Sequence, residues 1–152
     1  KIGQDTVIYP FTVTEKNVII GKRCSVGPFI RLREATRLED DVVVGNFLEI
    51  VRSKISSKTW AKHFGYIGDT RVGKSANIGA GSVTANFDNN QKNVSVIKDN
   101  AFIGCDTVLV SPVVVGKGAK TGAGSIVTKH TTIADHTVVA GVPAKPLAQK
   151  RA

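Results

Sequence analysis

Only three histidines occur in the 152 residues, and His63 stands in the run "KHFGYIGD", residues 62 to 69. An imidazole titrates near neutrality and can take a proton from an attacking nucleophile. A lone histidine is more often structural, but here Tyr66 and Asp69 follow within six residues. A second polar stretch, "TANFDNNQKNVSV", spans residues 84 to 96. Its Asn86, Asp88 and Lys92 offer hydrogen-bond donors and an ammonium suited to an anionic polar ligand. A tolerated insertion is the plainer reading of such a stretch.

The rest of the chain supplies little chemistry and must therefore position these groups. Apolar residues make up 41% and aromatics 6%, with no methionine. A core of that kind is built from Val, Ile, Leu and Ala, which suits many thin layers. The formal charge of +9 attracts anions. Its basic residues are dispersed, without a run or interleaved aromatics for base stacking, so nucleic acid is not the expected partner. No apolar run approaches the roughly 20 residues of a membrane span, so no membrane partner is expected. Cys24 and Cys105 form no CxxC pair. They are expected to stay unpaired, in a reducing compartment such as the cytoplasm. No signal peptide opens the chain. It begins with Lys1, so a longer parent is expected.

An aliphatic residue returns every six positions: Ile20, Val26, Leu32, Leu38, Val44, Ile50. The series slips by one and resumes at Ile55, Ala61 and Ile67, then slips again to Val72, Ile78 and Thr84. Beyond a longer gap it runs through Ile97, Ile103, Leu109, Val115, Thr121 and Val127, and Ile2 and Ile8 start it. Four places after the aliphatic residue comes a small or β-branched one, as at Cys24, Thr59, Ala76, Ser82 and Ser125. A period of six is neither helical nor a pure strand alternation. It predicts a short strand plus a corner. Three such units make a coil of about 18 residues, giving roughly eight stacked coils of an all-β parallel β-helix. Spacing leaves the handedness open. The stretch from residue 85 to 96 cannot continue a coil and is expected to project as a loop. His63, two places after Ala61, falls at a corner and faces outward.

The segments "VGNFLEI", "KHFGYIGD", "NIGAGSVTANFDNNQK" and "FIGCDTVLVSPVVVGKGAKTGAGSIVTK" resemble, in order and spacing, one family. It is the acetyltransferase domain of bifunctional UDP-N-acetylglucosamine pyrophosphorylase / glucosamine-1-phosphate N-acetyltransferase, a hexapeptide-repeat acyltransferase. The likeness runs from about residue 20 to 130. It implies a left-handed β-helix over residues 1–130 and a tail, 131–152, that contributes to the CoA site. It implies acetyl-CoA as cosubstrate, an amino sugar phosphate as acceptor, a homotrimer with sites between subunits, and no metal. In the family's terms His63 is the general base and Glu49 a nearby acidic residue that orients it. Arg33, Tyr66, Asn77 and Lys92 bind the sugar phosphate. Asn86 and Phe87 sit at the acetyl-CoA site, with Ala80, Cys105 and Ala123. A nucleotidyltransferase part, if the parent has one, lies before residue 1.

Several positions depart from the family. Val51 stands where a phosphate-binding lysine is usual, and restoring that lysine is expected to tighten a 1-phosphorylated sugar. Arg52 is adjacent. Phe87 replaces a tyrosine and Cys105 a serine. "AGVPAKP", residues 140 to 146, is similar to the tail of other hexapeptide acyltransferases, which implies that Lys145 holds a CoA phosphate. Another amino sugar or sugar nucleotide therefore stays open as acceptor, as does a trimerising β-helix without activity. A zinc site of three histidines is not expected, because His130 and His136 follow the aliphatic series well beyond His63.

Overall fold

Each six-residue unit folds as a short strand and a corner, and three units close one turn. The computed structural model describes residues 1–148, so the last residues of the expected tail, 149–152, lie outside the described ones. It contains 23 strands, most of them two residues long, and no helix among the described residues. They form three sheets. The first has nine strands and starts at Val7–Ile8; the second has seven and starts at Val13–Thr14; the third has seven and starts at Ile19–Ile20. Strands of a sheet pair in parallel throughout, except that Lys145–Pro146 runs antiparallel to Val138–Ala140. The result is a left-handed parallel β-helix, a three-sided prism of about seven turns.

The turn count falls one short of the eight that length suggests, because the loop and the residues after Ala140 lie outside the coils. Val7 pairs with Ser25 and Phe102 with Lys120, in each case one 18-residue coil apart. Between them the offset drops to 17, as in Lys54 with Arg71. It then widens to 25 where Asn77 meets Phe102. The two slips in the aliphatic series are these shortened coils. The wide offset is the loop, which uses residues without adding a layer.

The aliphatic series is the core. Every member from Ile20 to Val127 is buried, none more than 7% exposed. Each buried Ile or Leu contributes about 1.5–3 kcal/mol by leaving water. The small positions Cys24, Thr59, Ala76, Ser82 and Ser125 are buried beside them. Thr84 and Thr121 put hydroxyls inside, which is costly unless they are bonded. Their Oγ1 atoms accept from the N–H groups of Gly68 (2.7 Å) and Gly104 (2.9 Å). Two details differ from the sequence reading. The series does not end at Val127 but continues through buried Ile133 and Val139. Ile2 and Ile8 are 60% and 38% exposed, because they lie in the end coil, covered on one side only.

Three edges join the faces. Edge I links first and second sheets, edge II second and third, edge III third and first. The three histidines fall on three different edges: His63 on I, His130 on II, His136 on III. One chain therefore cannot gather them around a metal. Cys24 is buried, Cys105 is exposed on edge I, and both thiols are free.

Candidate active site

Edge I carries His63. Five backbone hydrogen bonds tie its rungs in sequence: Phe47 N–H to Phe29 O, Gly65 N–H to Phe47 O, Gly81 N–H to Phe64 O, Asp106 N–H to Ala80 O, and Gly124 N–H to Cys105 O, at 2.7–3.3 Å. His63, Ala80, Cys105 and Ala123 thus occupy successive rungs of one edge. His63, Cys105 and Ala123 are exposed and Ala80 is half-buried. Below His63 the same edge bears a stack of exposed rings, Phe11 on Phe29 at 4.7 Å and Phe29 on Phe47 at 5.2 Å.

The outward side of the second sheet places Arg31, Glu49, Tyr66 and Val83 in one register. Arg33 Nη1 donates to Glu49 Oε1 at 2.9 Å, and Glu15 and Glu34 stand within 4.0 and 3.7 Å of the same guanidinium. Glu49 is therefore engaged by Arg33; the described hydrogen bonds do not join it to His63. Asn77 lies on the first sheet, between Trp60 and Phe102 in register. Edge I separates that face from Tyr66 and Glu49. Asn77 and Tyr66 flank His63 on faces turned away from each other, and a single small ligand does not touch both in one chain.

Edge II holds a network that the sequence reading did not single out. Arg52 donates to Glu34 at 2.8 Å and forks onto both Asp69 oxygens at 2.7 Å. The Asn86 amide donates to the same carboxylate in a short hydrogen bond. Burial alone would raise the Asp69 carboxyl; Arg52 and Asn86 outweigh it and hold it below its ordinary value. Bonding to Asp69 and Glu34 raises the Arg52 guanidinium further still. Gly68 makes the packing possible. A Cβ there would stand 2.6 Å from both the Tyr66 hydroxyl and the Asn86 amide nitrogen, so both side chains lie against bare backbone at this position. The spacing was the missed signal: Glu34, Arg52, Asp69 and Asn86 follow one another by a coil each, 18, 17 and 17 residues.

Two expectations about position 51 change. Val51 has no exposed surface, so a lysine there would have to emerge from under its neighbours before meeting a phosphate. Arg52 is already held by two carboxylates and does not stand free to replace that lysine.

The loop after Asn86 is fastened by Asp88. Its carboxylate accepts from the backbone N–H of Gln91 and Asn90, from Asn93 Nδ2, and from Lys129 Nζ at 2.7 Å, 41 residues on. Those donors, Lys129 foremost, hold the Asp88 carboxyl well below the usual range. Phe87 and Lys92 bridge each other and are exposed. Lys145, next to Ala140 in the last strand pair, is also exposed.

The fold defines a class, the hexapeptide-repeat β-helices. The family described as "Bacterial transferase hexapeptide (six repeats)" matches residues 95–129. Among characterised relatives, the chain is 45% identical over 131 residues to the bifunctional protein GlmU of Nitrosospira multiformis, covering 86% of this chain and 28% of that protein. It is 42% identical over 162 residues to the bifunctional protein GlmU of Thermotoga maritima, covering 85% of this chain and 36% of that one. The chain thus spans about a third of the length of these relatives. The resemblance read from the motifs holds along most of the chain. The fold recurs in perosamine N-acetyltransferase PerB of Caulobacter crescentus, solved with CoA and GDP-perosamine, at TM-score 0.65 and 20% identity over 94% of this chain and 57% of that one. It recurs in the N-acyltransferase AntD of Bacillus cereus, at TM-score 0.55 and 20% identity over 99% and 84%.

Proposed function

We propose that the chain transfers an acetyl group from acetyl-CoA to the amine of glucosamine-1-phosphate. The observation that carries this reading is edge I, where an exposed His63 shares one line of rungs with Ala80, Cys105 and Ala123, in a chain 45% identical to a bifunctional GlmU protein. The sugar amine must be neutral to attack. As its nitrogen bonds to the thioester carbon, His63 takes the proton. When the carbon–sulfur bond breaks, CoA leaves as thiolate and recovers that proton. Backbone N–H groups along the edge are suited to the oxyanion. Asn86, Phe87 and Lys145 hold the cosubstrate, the last in the antiparallel strand that follows the final coil. No step draws on a metal.

The site is completed by a neighbouring copy in a homotrimer. Support comes from the split of the acceptor residues: Arg33 and Tyr66 on one side of edge I, Asn77 on the other. A partner whose first sheet faces this second sheet would bring its own Asn77 to Tyr66. CoA chemistry and two free thiols suit the cytoplasm. No helix among the described residues is long and apolar enough to cross a membrane.

One observation favours a second acceptor. Val51 is buried and Arg52 is held by Glu34 and Asp69, which weakens the case for phosphate recognition. Release of free thiol from acetyl-CoA, measured against amino sugars with and without a 1-phosphate, tests both readings. Glucosamine-1-phosphate is expected to give the highest kcat/KM. Preference for an unphosphorylated sugar or a sugar nucleotide would move the assignment to the second reading. Failure of the whole panel would leave a β-helix without this activity.

A further inference from the structure

On the third sheet, Arg37 pairs in register with Lys54, and Lys54 with Arg71. Three cations therefore project from adjacent strands, about 4.8 Å apart. Like charges directly opposite each other across a sheet are destabilising. Lys54 is relieved by Glu39 at 2.7 Å. Among the described residues neither Arg37 nor Arg71 has a carboxylate within ion-pair distance, and both are exposed. The three line a groove of about 290 Å³, with Arg52 and Asp69 on its edge II side and exposed Val94 beside them.

We propose that this ladder is a binding site for a small oligophosphate, a ligand bearing two or more linked phosphoryl groups. Guanidiniums fork onto phosphate oxygens, and the sheet register fixes two of them on either side of an ammonium. The ladder spans about 10 Å, two strand spacings, which matches a short phosphate chain. The groove offers no aromatic ring on which a base could stack, and three cations are few for a nucleic-acid track. It opens on the third sheet, away from edge I and His63. The site therefore goes beyond acetyl transfer and does not depend on it.

The test is a calorimetric titration of the full chain with sodium tripolyphosphate at low salt, using wild type and Arg37→Gln/Arg71→Gln. Wild type is expected to bind tripolyphosphate at least tenfold more tightly than orthophosphate, at one site per chain, with affinity falling as salt rises. The double variant should lose at least tenfold in that affinity. Without ligand it should melt no lower than wild type, since the exchange removes repulsion, and any thiol release should be unchanged. Equal binding by wild type and variant would overturn the proposal. So would no binding at millimolar ligand, or binding by a single-stranded oligonucleotide alone.

Discussion

Gly68 shows how one residue sets the packing of Tyr66 and Asn86. Its φ is ordinary, so space is what it provides. A methyl group at 68 would collide with Tyr66 and with the Asn86 amide, both at 2.6 Å. Gly68→Ala should leave the β-helix assembled, because the backbone shape suits alanine. It should raise KM for the acceptor and for acetyl-CoA, each by about tenfold or more, equivalent to about 1.4 kcal/mol. A folded variant with unchanged Michaelis constants would remove Tyr66 and Asn86 from the ligand sites. Residues of this kind were only partly legible. "KHFGYIGD" drew attention because a histidine, a tyrosine and an aspartate break a monotonous pattern. The partners of Asp69 were not legible until coils were superposed, since Arg52 and Asn86 are 17 residues away on either side. Position 51 misled for a related reason. A family comparison reports which residue type is missing, whereas how far a side chain is covered by the neighbouring coils is decided by packing.

Among the elements, the loop from Asn86 to Val94 depends on Asp88. Four donors converge on that one carboxylate, and Lys129 ties it to a coil on the far side of the insertion. Asp88→Ala or Lys129→Ala should loosen the loop and speed amide exchange between residues 87 and 93, with the core strands unchanged. Because Asn86 and Phe87 begin the loop, KM for acetyl-CoA should rise more than kcat falls. The pH dependence follows from the sign of the shift. The Asp88 carboxyl is depressed in the fold. Its contribution is therefore complete above the unfolded value near 3.9 and is lost as pH falls through the lower folded value. Loop protection should persist to about pH 4 and disappear below it. Loss between pH 5 and 7 would point to another group. The repeat itself was readable because each inward position tolerates only aliphatic or small residues. The loop's internal order was not, since hydrogen bonds from Asp88 to backbone N–H leave no periodic trace.

Across the whole molecule, a three-sided prism presents each face outward and cannot fold Asn77 toward Tyr66. The account therefore requires neighbouring copies. Light scattering should give three chains per particle. Mixing inactive His63→Ala and inactive Asn77→Ala chains should restore part of the activity, because some interfaces would combine an intact His63 with an intact Asn77. Full activity in a stable monomer would contradict the shared site. The claim that joins residue, element and assembly is proton transfer by His63 on edge I. The most direct measurement is thiol release from acetyl-CoA with glucosamine-1-phosphate across pH 5 to 9, in wild type and His63→Ala. The account predicts that the variant folds normally, loses about 10² to 10⁴ in kcat with little change in KM for acetyl-CoA, and lacks the ascending limb of the wild-type profile. A variant that keeps more than about a tenth of wild-type turnover at neutral pH, with the same ascending limb, would contradict it.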